Sequence, residues 1–278
     1  MKLVKVERNG ASAEGILDGD DVRIVIPWRD GAADVAPFLL SLLSPGKLRM
    51  KATLETVPLA SVTLAVPIDP LAKIFCVGMN YRDHVSEIKL EVSAYPTIFT
   101  RSLDTLVPHG APVVRPKVSE HFDFEGEIAI VIGREARHVS AAEAMACVGG
   151  YTCFMDGSVR DYQKHSLTAG KNFRRSGSMG PWIVTADEFG TVDPLLETRL
   201  NGEQVQSAHA SQMIFDIPTV IEYISRWMVL RPGDVIATGT PGGVGSRREP
   251  PLWMKAGDRI EVAVEGIGTL GNPVIDET

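Results

Sequence analysis

The chain has 278 residues, 44% of them hydrophobic, and a formal net charge of -7. Such a length and apolar content bury a sizeable core and exclude disorder. The acidic balance excludes a nucleic-acid footprint, because no Lys/Arg run is longer than Arg174-Arg175 or Arg247-Arg248. Cys76, Cys147 and Cys153 are odd in number and lack CxxC spacing, which argues against a disulfide framework or a zinc knuckle and suits a reducing compartment. MKLVKVERNG carries no apolar leader, and no stretch approaches the ~20 apolar residues of a membrane span. The expectation is a cytoplasmic protein with a small-molecule ligand, no nucleic acid and no membrane.

In chain order, residues 1–26 alternate short apolar runs with the turn signals Asn9-Gly10 and Asp18-Gly19-Asp20, the pattern of a small antiparallel meander. A helix is expected over 35–43, stopped by Ser44-Pro45-Gly46, and Pro58, Pro67 and Pro70 punctuate an extended connector. This places a boundary near residue 70, dividing a small N-terminal β-containing domain (1–70) from a larger α+β, β-rich domain (71–278). The larger part opens with a strand over 73–77, a short helix near 83–88 and a strand over 97–100. HFDFEGEIAIVIG then reads as a buried strand closed by Gly133. Ser140 and Glu143 form a capping box for a short helix that leads into GGYTCFMDGS. Asn201-Gly202 signals a type I′ hairpin between strands at 195–200 and 203–207. Asp216-Ile-Pro218 starts an amphipathic helix to about Met228, with Val220, Ile221, Ile224 and Trp227 on its buried side. The phrases RPGDVIATGT and KAGDRIEVAVEGIG are each a Gly-Asp turn followed by an apolar strand, and both read as hairpin strands.

Three carboxylates read as the chemical centre, the alternative being a solvent-facing Glu125 and an Asp156 that serves as a cap. Glu125 and Glu127 are two apart at the start of a strand, so they share a face, and Asp156 ends the next apolar run. Two like charges brought close raise each other's pKa unless a cation sits between them. With no paired His or nearby Cys, the site is all-oxygen and hard, suited to Mg²⁺ or Mn²⁺, with Ca²⁺ also compatible, rather than zinc. His84 and Glu87 lie three apart, side by side on a helix, and read either as an acid–base pair or as a plain surface contact. Arg160, Gln163 and Lys171 follow Asp156 and supply positive charge and donors for an acidic ligand, or solvate an exposed helix. The glycine-rich turn from Thr238 through Thr240 to Gly245 presents N–H groups suited to an anion, but it lacks the Lys-Ser/Thr ending of a P-loop.

The ordered phrases KIFCVGMNYRDHVSE, DFEGEIAIVIG, GGYTCFMDGSVRDYQ, AGKNF, GPWIVTADE, LNGEQVQ, RPGDVIATGTPGGVG and KAGDRIEVAVEGIGTLGN resemble the fumarylacetoacetate hydrolase family across about residues 73–273. The resemblance implies a mixed β-sandwich roll, a homodimer and a Mg²⁺, Mn²⁺ or Ca²⁺ site. Position by position it implies Glu125, Glu127 and Asp156 as metal ligands, His84 and Glu87 as a catalytic dyad, and Lys171 as the group opposite developing negative charge. It implies Arg160, Gln163 and Thr240 as substrate or pocket contacts. Arg101, a further expected substrate contact, stands where members often have lysine, and Gly126 where they have a small or aliphatic residue between the glutamates. The N-terminal 70 residues look like the extra domain of longer bacterial members.

The implied substrate is a small anionic 2-oxo acid. Hydrolysis of a C–C bond in an acylpyruvate-type 2,4-dioxo acid is the first expectation. Oxaloacetate decarboxylation, or isomerisation of a dienoate or keto–enol pair by the same apparatus, is the alternative. A non-catalytic protein clamped by Ca²⁺ is the competing class, and the His84–Glu87 pair speaks against it, since mere binding has no use for an acid–base couple.

Overall fold

Alternating apolar and polar residues drive the start of the chain into strands. The computed structural model describes residues 1–30, 53–88 and 91–278, so the helix expected over 35–43 lies outside the described residues. Lys2–Arg8, Ala11–Asp18 and Asp21–Asp30 form the antiparallel meander. Asn9 and Gly10 both have positive φ, 53° and 82°, the backbone twist that a two-residue Asn-Gly hairpin requires. Val4, Val6, Val22, Ile24 and Val57 pack into a small apolar cluster of their own. The meander nevertheless continues the main sheet, because Lys2 and Leu3 pair with Val184 and Ile183.

The strand that carries the glutamates, Gly126–Ile132, is buried along its whole length. It pairs antiparallel with Val148–Met155 on one side and with Val235–Ala237 on the other. Val235–Ala237 in turn runs parallel to Ile74–Gly78, which pairs with Thr97–Arg101. The period of two splits this strand between two cores. Ile128, Ile130 and Ile132 join a cluster with Leu196, Val262 and Leu270, while Ala129 and Val131 join one with Ile74, Phe154 and Met179. A second sheet supplies the first of those cores, in the order Glu203–His209, Leu195–Leu200, Arg259–Val264, Gly268–Asp276 and Val113–Arg115. Two stacked sheets with short peripheral helices make the class α+β and β-rich, as expected.

Gly126 is required by the stacking of these sheets. A Cβ there would fall 2.0 Å from Thr198 Oγ1, so the residue between the two glutamates has no room for a side chain. The capping box is present, with the Glu143 carboxylate accepting from both the N–H and the hydroxyl of Ser140. The Asn201-Gly202 hairpin is present as well, with φ of 54° and 83°.

Two expectations fail. RPGDVIATGT does not build a hairpin: its strand, Val235–Ala237, is wedged between two strands distant in sequence, whereas KAGDRIEVAVEGIG does form one, with Arg259–Val264 returning as Gly268–Asp276. The shared turn chemistry is nevertheless real, since Asp234 and Asp258 each accept the N–H three residues back, from Arg231 and Lys255. Trp227 is the second failure. The helix Ile217–Ser225 buries Val220, Ile221 and Ile224 but ends before Trp227, which leaves the helical phase and is 48% exposed, edge-on to Phe75.

Candidate active site

Antiparallel pairing assembles the acids. Gly126 sits opposite Met155, and the Asp156 N–H donates to the Glu125 carbonyl at 2.8 Å, so the strand after the hairpin delivers Asp156 beside the Glu125–Glu127 pair. One carboxylate oxygen from each of the three residues lies within 4.8 Å of the others, and all three side chains are buried.

The three acids are not equally compensated. Lys171 Nζ bridges Glu125 Oε2 at 2.5 Å and Asp156 Oδ2 at 2.6 Å, and Arg160 Nη2 stands 2.7 Å from Glu125 Oε1. Burial alone would raise the Glu125 carboxyl, but the Lys171 and Arg160 charges outweigh it and hold the group at about 2. Lys171 is likewise disfavoured by burial yet raised overall by Asp156 and Glu125, so it is an ammonium. Among the described residues Glu127 accepts only the Gly239 N–H, at 2.8 Å. Burial first, then the negative charges of Asp156 and Glu125, push it well above the carboxylate range. A buried carboxyl aimed at two others, with one neutral donor, is an arrangement that a cation would compensate. An oxygen-only donor set of this spacing fits a hard divalent ion.

Arg101 departs from its expected role. Its guanidinium is fully buried, bonded to the Asp156 carboxylate, to the Gly157 carbonyl at 3.1 Å, to Thr105 Oγ1 at 3.1 Å and to Ser176 Oγ at 2.7 Å. With those donors consumed by the protein, Arg101 orients Asp156 instead of facing a ligand, a task that suits a planar fork better than an ammonium.

The glycine-rich turn does bind anions, but they are the chain's own. Gly239 N–H holds Glu127, Gly243 N–H holds Glu87 at 3.1 Å and 3.3 Å, and the N–H groups of Gly245 and Ser246 hold Asp123 at 2.7 Å and 3.0 Å. Positive φ at Gly239 and Gly243, 100° and 97°, aims these donors. Thr240 ties the turn to the acidic strand, donating to the Gly126 carbonyl at 2.9 Å and accepting from Gln206 at 2.8 Å.

His84 and Glu87 are brought together as the spacing expects. On the helix Arg82–Ile88, His84 Nδ1 lies 3.4 Å from Glu87 Oε2. Glu87 is anchored by Gly243 and His84 is buried, which leaves Nε2 as the uncommitted ring nitrogen. Arg160 donates through Nε to Asp123 at 2.7 Å and through Nη1 to Gln163 at 3.0 Å.

These groups open on one cavity of ≈ 550 Å³, lined by His84, Glu125, Glu127, Arg160, Gln163, Lys171 and Thr240. Asp156 and Arg101 lie behind it. Arg174 and Arg175 do not reach it, and Arg175 donates to the Pro112 carbonyl instead. The wall also contains His121, Lys164, Arg247 and Trp253, which no spacing rule singles out. Asp123 was equally invisible, although it is fully buried and its carboxylate accepts from Phe124 and Arg160 as well as from Gly245 and Ser246.

Comparison with known proteins agrees with this geometry. The family model described as fumarylacetoacetate (FAA) hydrolase C-terminal matches residues 73–275. Oxaloacetate tautomerase YisK of Bacillus subtilis is 41% identical over 78% of this chain and 74% of its own length. The 2,4-didehydro-3-deoxy-L-rhamnonate hydrolase of Sphingomonas is 35% identical over 97% and 94%. The crystal structure of 2-hydroxyhepta-2,4-diene-1,7-dioate isomerase from Mycobacterium marinum superposes with a TM-score of 0.78 at 34% identity, covering 100% of this chain and 99% of that one. The chain belongs to the fumarylacetoacetate hydrolase family.

Proposed function

We propose that the chain catalyses keto–enol tautomerisation, or an equivalent proton shift, of a small 2-oxo acid of the oxaloacetate class. Glu125, Glu127 and Asp156 would hold a divalent ion, Mg²⁺ or Mn²⁺ by preference and Ca²⁺ as a weaker substitute. When bound, such an ion draws electron density from a chelating 2-oxo acid and so acidifies the neighbouring carbon.

The observation that carries the reading is that His84, paired with Glu87, lines the same cavity as Glu125 and Glu127 of the acid triad. His84 takes the proton through Nε2 and returns it to the other end of the enol, while Glu87, held by the Gly243 N–H, fixes the ring. Lys171 and Arg160 keep Glu125 ionised, so the floor holds its charge as the substrate's electrons shift. Gln163, steadied by Arg160, and Thr240 border the ligand space. Similarity to a tautomerase and an isomerase supports a proton shift over the hydrolysis that the sequence alone puts first.

Acylpyruvate hydrolysis remains the second reading for one reason. The relative aligned over 94% of its own length is named a hydrolase, and the His84–Glu87 pair has the chemistry to activate a water. Proton NMR of products from oxaloacetate and from a set of acylpyruvates, with Mg²⁺ and with EDTA, separates the two. Metal-dependent enol–keto interconversion without C–C cleavage is expected, release of pyruvate from an acylpyruvate would favour hydrolysis, and no metal-dependent change in either would end both readings. The homodimer belongs to the same proposal and is tested by sedimentation.

A further inference from the structure

We infer that Lys164 and Arg247 form a second, anion-reading pole of the cavity, which receives a remote carboxylate and makes this chain selective for dicarboxylic over monocarboxylic 2-oxo acids. The inference rests on the proposed placement of a 2-oxo acid at the acid triad.

Charge balance demands such a pole. The buried floor contains Asp123, Glu125, Glu127 and Asp156 against Arg101, Arg160 and Lys171, which leaves one negative charge when all are ionised. A divalent ion turns this into one positive charge, and the first carboxylate of the ligand cancels it. A second carboxylate then finds no free cation on the floor. Arg160 is divided among Asp123, Glu125 and Gln163, and Lys171 is held by Glu125 and Asp156.

Lys164 and Arg247 are different. Both line the cavity, and among the described residues neither makes an ion pair or side-chain hydrogen bond. Asp161, the other acid of the wall beside Glu125 and Glu127, is turned to Ser119 Oγ at 2.7 Å and toward His121 Nδ1 at 3.8 Å. The elements that carry them are tied to one group. Asp123 binds Arg160 Nε at the start of the Arg160–Gln163 helix that Lys164 terminates, and it also binds the N–H groups of Gly245 and Ser246 in the turn that Arg247 closes. The two cations are therefore carried by elements clamped to the same buried carboxylate. The wall of the same cavity includes His121 and Trp253, their rings tilted at 57° with centroids 5.1 Å apart, an aromatic surface for the carbon chain joining the two acid groups.

The test is calorimetry on the full, Mn²⁺-loaded chain with matched probes: pyruvate and 2-oxobutyrate carrying one carboxylate, and 2-oxoglutarate and 2-oxoadipate carrying two. The wild type is expected to bind at least one diacid ~10-fold or more tighter than the monoacids, the worth of a charge-assisted hydrogen bond. The Lys164→Ala/Arg247→Ala double variant should bring that ratio to about one, and Arg247→Glu should invert it. A ratio that survives the double variant, or a wild type showing no preference, overturns the proposal. Both side chains are exposed, so folding is not at stake. Because binding ratios need no turnover, a silent tautomerase assay with the ratio intact removes the reaction and leaves the pole. Full tautomerisation with no ratio does the reverse.

Discussion

The floor and the rim of the cavity are built on opposite rules. On the floor nearly every charge has a fixed partner. Asp123 accepts four donors, Asp156 is gripped by Arg101 and Lys171, and Glu125 lies between Lys171 and Arg160. At the rim Lys164 and Arg247 are uncommitted. A preorganised floor serves any reaction that starts by withdrawing electrons from a 2-oxo acid, which fits a family containing proteins named tautomerase, isomerase and hydrolase. Under the proposed anion-reading pole, substrate choice is left to the rim, whose two cations are exposed. Within the floor the same contrast recurs between two buried carboxylates: Asp123 is saturated, while Glu127 has one donor. The first fits a structural role, and the second fits the proposed cation.

The largest effect that can break this contrast comes from the proton-handling pair. His84→Ala should retain the metal and lower turnover by ~10²–10⁴. Near-normal rates in a metal-saturated variant would remove the pair from the chemistry. Glu127→Gln should weaken Mn²⁺ binding by ~10²-fold or more, because removing a ligand exceeds the loss caused by removing an outer partner. The same change removes a carboxyl that burial and two neighbours disfavour, so the metal-free variant should melt no lower than the metal-free wild type. A lower Tm would mean that Glu127 is structural after all.

Arg101→Lys should cost ~10–100-fold in metal affinity, since Arg101 orients Asp156 without reaching the cavity. An unchanged affinity with an altered substrate KM would instead return Arg101 to the substrate. Gly126→Ala, whose Cβ would collide with Thr198, should destabilise the chain by ~1–3 kcal/mol in urea unfolding.

The smallest effect is in pH. Glu125 sits at about 2 against an ordinary 4.5, so the stability it contributes is present above 4.5 and lost as pH falls toward 2. Glu127 is raised, so it acts with opposite sign: its stability contribution is complete below the ordinary value and declines as pH rises through the raised one. Below its raised value, loading the metal should therefore release a proton from Glu127, seen as a buffer-dependent binding enthalpy. A buffer-independent enthalpy would show Glu127 already ionised.

Much of the floor was legible because its signals are local. Glu125 and Glu127 declare a shared face by alternation, His84 and Glu87 by helical spacing, and Asn9-Gly10 and Asn201-Gly202 by turn chemistry. What stayed hidden depends on which distant strand pairs with which. Nothing in RPGDVIATGT says that its strand lies between Gly126–Ile132 and Ile74–Gly78, while the similar KAGDRIEVAVEGIG forms a hairpin. Nor does the glycine-rich turn announce that its donors are consumed by Glu127, Glu87 and Asp123. His121, Lys164, Arg247 and Trp253 come from separate segments and meet only in the folded wall.

Proton transfer at a metal-held 2-oxo acid is tested most directly by stopped-flow decay of the enol absorbance of oxaloacetate. The Mg²⁺-loaded chain should accelerate that decay without forming pyruvate, and EDTA should abolish the acceleration. Decay at the solvent rate with one ion bound per chain would contradict it.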